Sequence, residues 1–331
     1  MSLDQNTVAA SVAEQPSSIA EQPSVAEQPI EIGAPPGTTS QIHVLYAIAF
    51  VLLHVLCLLA FVPWLFSWWG VASILIGDVV FGMFGINLAY HRLLTHQGLT
   101  LPKWLERTFV VCGVCCLQDG PARWVGIHRM HHQHSDHEED PHTPWYTFFW
   151  GHLGWLVQKN KYYGTASFYD RYARDVFQDP FYRWLERKSM FFWVYVVHAI
   201  VIFLLAFAIG SLTLGGWAAG YQFGLSMLLW GVVIRTVYVW HTTWAINSIT
   251  HIWGYRNYET RDHSKNNPLL AVTNFGEGWH NNHHAYPRCA AHGHRWWEFD
   301  ATYLFIRILE KLGLAKNVEH PKRELLRNDV P

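Results

Sequence analysis

Four apolar runs, each about twenty residues long and nearly free of charge, constrain this chain more than any other feature. They are IHVLYAIAFVLLHVLCLLAFV over roughly 42–62, GVASILIGDVVFGMFGINLAY over 70–90, FFWVYVVHAIVIFLLAFAIGSLT over 191–213 and WAAGYQFGLSMLLWGVVIRTVYV over 217–239. As a helix, each is long enough to cross a hydrocarbon layer of about 30 Å. A core helix of a soluble domain is shorter and keeps a polar face. The expectation is an all-α integral membrane protein with four transmembrane helices in two hairpins.

Charge placement orients those helices. The first Lys or Arg of the chain is Arg92, none occurs between 189 and 234, and the turns at 63–69 and 210–216 carry no charge. Every basic residue therefore falls in 92–188 or from 235 onward. By the positive-inside rule these stretches face the cytoplasm, as do both termini. The expected product is a multi-pass protein, in the inner membrane if the source is bacterial, with a helical cytoplasmic cap from 91–190 and 240–320. Net charge is −1 over 331 residues, which gives no reason to expect nucleic acid.

Outside this 41–320 domain the chain is polar. Residues 1–40 repeat AEQP at 13–16, 20–23 and 26–29 amid Ser, Pro and Gly. Such a segment buries too little apolar area to offset its chain entropy, so it reads as a disordered tail. Residues 321–331 form a polar C-terminal tail. Asp78 is the one acid within a span and reads as a hydrogen-bonding partner for a neighbouring helix. His54 and His198 read as packing or interhelical hydrogen-bonding groups. Cys57, Cys112, Cys115, Cys116 and Cys289 are odd in number and lack zinc-finger spacing, which gives no disulfide framework.

The chain has 21 histidines, and they cluster. His91 and His96 stand in HRLLTH, His128, His131 and His132 in HRMHH, and His280, His283 and His284 in HNNHH, with His251 in NSITH. Residues at i, i+3 and i+4 share one helical face, so each of the triplets presents three imidazoles to one point. The step from His91 to His96 turns about 140° on an ideal helix, so this pair converges only if the helix loosens or ends there. Eight or nine neutral nitrogens exceed what one ion needs; two ions are the economical count. Imidazole suits Zn, Cu, Fe and Ni alike, so spacing leaves the metal open.

The ordered set HRLLTH, HRMHHQHSD and GEGWHNNHHAYP resembles the three histidine boxes of the membrane-bound fatty acyl desaturases, the stearoyl-CoA Δ9-desaturase-like family. DPHTP at 140–144, WGHLGW at 150–155, DPFYRWLE at 179–186 and NSITHIWGYR at 247–256 extend the likeness from about residue 45 to 320. The resemblance implies that His91, His96, His128, His131, His132, His251, His280, His283 and His284 bind two iron ions, with Asn247 reaching one through water. It implies that Gln118, Trp124 and Thr243 position the bend of the acyl chain. His134 and His137 fall outside the box pattern and read as bystanders. His142 stays open as an orienting group.

The activity implied is an O2-dependent introduction of a cis double bond, at Δ9, into a long-chain acyl substrate carried by CoA, acyl carrier protein or lipid. Removing two hydrogens from an unactivated methylene pair needs an oxidant that no side chain supplies; that chemistry belongs to a metal with O2. Arg92, Arg123 and Arg129 are candidates for a carrier's phosphates or for lipid contact. No haem-binding or iron–sulfur motif follows residue 300, so an external donor such as ferredoxin, cytochrome b5 or rubredoxin is expected. The same site would serve a di-iron lipid hydroxylase or a desaturase of another lipid class. A haem or metal-transport membrane protein is the non-enzyme alternative, and Asp78, His54 and His198 are too few and scattered for transport.

Overall fold

The computed structural model describes residues 32–322, and most of both tails lies outside them. The fold is mostly helical, and four helical stretches are long and apolar enough to cross a membrane: Val44–Phe61, Trp68–Thr95, Pro180–Thr213 and Trp217–Ile249. The first begins as α1 (Val44–Cys57). The second, α2 (Trp68–Thr95), starts where Ser67 Oγ accepts from Gly70 N at 2.9 Å. The short helices α3 (Lys103–Val114) and α4 (Pro121–His134) follow. The third stretch breaks at Lys188 and Ser189, both at positive φ, before α5 (Met190–Thr213). The fourth is α6 (Trp217–Ile249), followed by α7 (His280–Ala285) and α8 (Ala301–Lys311). One two-stranded antiparallel ribbon, β1 (Thr38–Ile42) with β2 (Gln158–Asn160), was not expected, and its first strand straddles the boundary drawn at residue 40.

The spans wear their apolar side chains outward. Leu45, Val51, Phe61, Leu75, Leu204, Leu205 and Leu212 are all exposed, which in water would be an untenable surface. Trp64, Trp68, Trp69 and Trp217 gather at the ends of the helical hairpins, where an aromatic belt meets headgroups. The protein's own core lies lower, where α2, α3, α4 and α8 bring together Leu88, Tyr90, Val110, Val125 and Ile306.

Two spans run farther than the apolar runs suggest, and this builds the site. α2 carries on five residues past 90, through His91 to Thr95, and α6 carries on past 239 to present Trp240, Thr243 and Asn247. From Asp78 to Thr95 α2 is wound as a π-helix. Its exit is sealed the same way, with His96 N donating to His91 O at 3.1 Å.

The α2–α3 crossing depends on small residues. A Cβ on Gly85 would sit 2.2 Å from Gly113 N. Gly85→Val is therefore expected to force the two backbones apart, at a cost of about 1–3 kcal/mol or more. A lowered thermal midpoint of the detergent-solubilised protein, followed by size-exclusion chromatography, checks this.

Candidate metal centre

Three helix ends and one loop deliver nine imidazoles to two points. His91, His96, His128, His132 and His283 bring one nitrogen each within 4.8 Å of one another, and His131, His251, His280 and His284 do the same. The HRMHH triplet is thus divided between the clusters: His128 and His132 go one way, His131 the other. HNNHH divides likewise, with His283 against His280 and His284. The π-winding answers the His91–His96 question. A five-residue hydrogen-bond step puts i and i+5 on one face, so both join the same cluster, with ring centroids 4.9 Å apart.

Carboxylates hold the outer nitrogens. His91 Nδ1 donates to Glu277 Oε2 at 2.6 Å and His284 Nδ1 to Asp262 Oδ2 at 2.7 Å. His251 Nδ1 donates to Asp136 Oδ2 at 2.9 Å, and His131 Nδ1 to both oxygens of Asp140 at 3.0 Å. A neutral imidazole has one N–H, so an imidazole that spends it on a carboxylate keeps a bare lone pair on Nε2 for a metal.

Those lone pairs face one another. Nε2 of His131 lies 3.4 Å from Nε2 of His284. In the other cluster His283 Nε2 is 3.0 Å from His91 Nε2 and 2.9 Å from His132 Nε2, and His132 Nε2 is 3.1 Å from His128 Nε2. Two lone pairs do not hydrogen-bond, and at six of the nine imidazoles protonation is opposed, whereas the Asp136 carboxylate outweighs burial and raises His251. Burial first, then the neighbouring imidazoles, hold His96, His128, His131, His132, His280 and His283 well below the ordinary histidine range. Neutral, convergent nitrogens with carboxylate-anchored backs are what a cation at each point requires.

Beside the first cluster lies an apolar cavity of about 380 Å³. Its wall includes Gln118, Trp124, Thr243, Asn247, His128 and His142. Gln118 Nε2 donates to Thr243 Oγ1 at 3.0 Å, and Trp124 Nε1 donates to Gln118 Oε1 at 3.4 Å. The Trp124 ring stacks on His128 with centroids 5.1 Å apart. The three side chains expected to bend an acyl chain are thus one hydrogen-bonded unit, against a histidine of the first cluster.

Residues 72–314 match the family model for fatty acid desaturases. The chain is 42% identical to an sn-1 stearoyl-lipid 9-desaturase of Anabaena variabilis over 85% of its own length and 96% of that protein's. The chain belongs to the fatty acid desaturase family. It is also 38% identical to an sn-2 palmitoyl-lipid 9-desaturase of Nostoc sp. (strain 36), covering 85% of this chain and 92% of that one. With an icosanoyl-CoA 5-desaturase of Limnanthes douglasii it shares 39% identity over 83% of this chain and 72% of the other.

Several expectations for the desaturase are corrected. Arg92 meets neither carrier nor lipid: it is 1% exposed, and it grips Glu277 Oε1 from Nη2 at 2.9 Å and Asp300 Oδ2 from Nη1 at 2.9 Å. Arg129 is taken up by Asp175 at 2.7 Å and by the carbonyls of Leu94, Thr95 and Tyr172. Arg123 pairs with Asp119 at 3.1 Å, and Asp119 also accepts from Tyr46. Asp78 is buried facing Arg235, and among the described residues no hydrogen bond joins its carboxyl to a neighbouring helix.

Other expectations agree with the geometry. His54 does bond between helices, its Nε2 lying 3.0 Å from Nε2 of His241 on α6. His198 packs edge-on against Phe81 at 4.8 Å. All five cysteines are unpaired. His134 and His137 stand outside both clusters, His134 near Glu139 at 3.9 Å and His137 on a polar cavity that His132 and His284 also line. His142 is 2% exposed, with Nδ1 3.7 Å from Asp140 Oδ1, beside the carboxylate that holds His131.

Sequence reasoning missed the carboxylates and three histidines. Glu277, in GEGWH, and Asp136, in HSD, lay inside quoted motifs without being singled out. Asp262 gave no signal at all. His292 sits with Nδ1 3.3 Å from Glu277 Oε2. His152 Nε2 is 3.0 Å from His241 Nδ1, which extends the His54 contact into a chain from α1 through α6 to the segment Trp150–Gly154.

Proposed function

We propose that this desaturase introduces a cis double bond at Δ9 into a saturated acyl chain esterified to a membrane lipid. Its metals are two irons, one in the five-histidine cluster and one in the four-histidine cluster. Asn247, on α6 four residues before His251, would reach the second iron through water. The observation that carries the reading is the Gln118–Trp124–Thr243 unit, which lines an apolar cavity and stacks on a cluster histidine. The relatives named as acting on lipid-linked chains at position 9 support carrier and position; relatives acting at other positions and on CoA esters make both worth testing. Basic residues confined to 92–188 and beyond 235 support a cytoplasmic cap and termini.

The overall change is R–CH2–CH2–R + O2 + 2e− + 2H+ → R–CH=CH–R + 2H2O, with the electrons from an external one-electron donor. Two irons with O2 supply an oxidant strong enough to take hydrogen from an unactivated methylene. The protein's part is positioning. Leu45, Ile48, Phe50, Trp240 and Trp244 wall the chain and keep water away from the reacting carbons. Thr243 and Trp124, fixed by Gln118, give the wall its shape beside His128, so that one C–C bond lies against the metals.

Expression in a desaturase-deficient host, with fatty-acid profiling of each lipid class, tests this. A new cis-Δ9 monounsaturated chain in glycerolipids is expected. No unsaturated chain despite a competent donor, or a product that gains oxygen instead of losing two hydrogens, overturns it. Thr243→Val leaves the Gln118 amide without its acceptor, a loss of about 1–3 kcal/mol of local order. It is expected to lower turnover and spread the double bond over neighbouring positions, read from the same profile.

A further inference from the structure

The two clusters are unequal in charge. In the five-histidine cluster one ligand, His91, has a carboxylate behind it, and that carboxylate is neutralised. Glu277 receives Arg92 through Nε at 3.2 Å and Nη2 at 2.9 Å, and Arg92 is itself 1% exposed. In the four-histidine cluster three ligands are backed: His131 by Asp140, His251 by Asp136 and His284 by Asp262.

The partners of these three acids are mild. Asp262 accepts from Ser264 Oγ at 2.5 Å and Thr260 Oγ1 at 2.8 Å. Asp136 accepts from His263 N at 2.7 Å, and Asp140 from the backbone N–H groups of Asp136 at 2.9 Å and His142 at 3.1 Å. Three carboxylates held by hydroxyls and backbone N–H groups thus stand behind the four-histidine cluster, against one Arg-paired carboxylate behind the other.

A carboxylate on the outer N–H makes an imidazole a stronger donor, and nearby negative charge favours the higher oxidation state of the metal it holds. We propose that the second-layer carboxylates set a fixed potential difference between the two metal sites, the four-histidine site being the harder to reduce. A single electron from outside then settles on the five-histidine site, the one whose His128 borders the acyl cavity. This rests on the assignment of two irons under the function proposed above, and it adds which of the two is reduced first and why.

The test is a redox titration of the iron-loaded protein without substrate, with ⁵⁷Fe Mössbauer spectra of the one-electron-reduced state. Two separated one-electron steps are expected. Asp262→Asn keeps the size of the side chain, removes its charge, and is expected to raise the potential of the second step while leaving the first in place. Glu277→Gln is expected to move the first step and not the second. Asp136→Asn, at the carboxylate behind His251, serves if Asp262→Asn does not fold, with iron content and helical circular dichroism verifying each variant. A single two-electron step in the unaltered protein, or an Asp262→Asn effect shared equally by both steps, overturns the proposal. Lipid product with no separation of steps sinks this inference alone; a purified protein that holds no iron sinks both.

Discussion

Alanine at His283 is expected to abolish desaturation and to lower the iron content of the purified protein. His283 Nε2 lies 3.0 Å from His91 Nε2 and 2.9 Å from His132 Nε2, so its removal opens the middle of the five-histidine cluster. His131→Ala is expected to be as severe through the other site, because it removes a nitrogen and strands the buried Asp140 carboxylate. Losing an outer partner of a metal ligand alone costs about 10–100-fold in affinity or activity, and losing the ligand costs more. His134→Ala and His137→Ala are the controls, since both stand outside the clusters; most of the activity is expected to survive in each. Metal analysis with fatty-acid profiling of the four variants decides it. Equal loss in all four would mean that cluster geometry does not sort ligands from bystanders.

The second large effect is on stability. Arg92→Met keeps the length of the side chain and removes the charge between Glu277 and Asp300, which are 4% and 6% exposed. Breaking a buried ion pair by deleting one partner typically costs about 3–5 kcal/mol, because the remaining charge has nothing to offset its lost hydration. Here two carboxylates are stranded. Glu277 normally stays well below the usual carboxylate range because His292, Arg92 and His91 outweigh its burial. The variant is expected to show a clear drop in thermal midpoint and, through His91, weaker metal retention in the five-histidine cluster. An unchanged midpoint would mean that Arg92 is dispensable to the fold.

What was legible in the sequence followed from short-range regularities. Apolar runs and the gaps in basic residues gave four spans, and i, i+3, i+4 spacing gave two triplets that share helical faces. The family likeness then supplied Gln118, Trp124 and Thr243, which the fold gathers into one unit. Contacts between distant parts of the chain were not legible. Glu277 lies 186 residues from His91 and Asp136 lies 115 from His251, and no periodicity links such partners. Arg92 illustrates the same limit. Beside a membrane segment an arginine suggests lipid or phosphate, and only the fold shows two acids closing over it. The division of each triplet between two clusters was hidden too, because sharing a face does not fix which neighbour an imidazole meets.

The wide winding of α2 bears on anyone who would move this metal site to a new scaffold. His91 and His96 read as a portable five-residue step, yet on an ordinary α-helix the same step points the two side chains about 140° apart. The rule belongs to the backbone that carries it. A designer using a standard helix would have to rewrite the spacing to three or four residues, and a one-residue deletion between Asp78 and Thr95 would re-phase everything downstream. Insertions and deletions in this stretch should therefore be far less tolerated than substitutions at its partly exposed positions, Val79 and Val80.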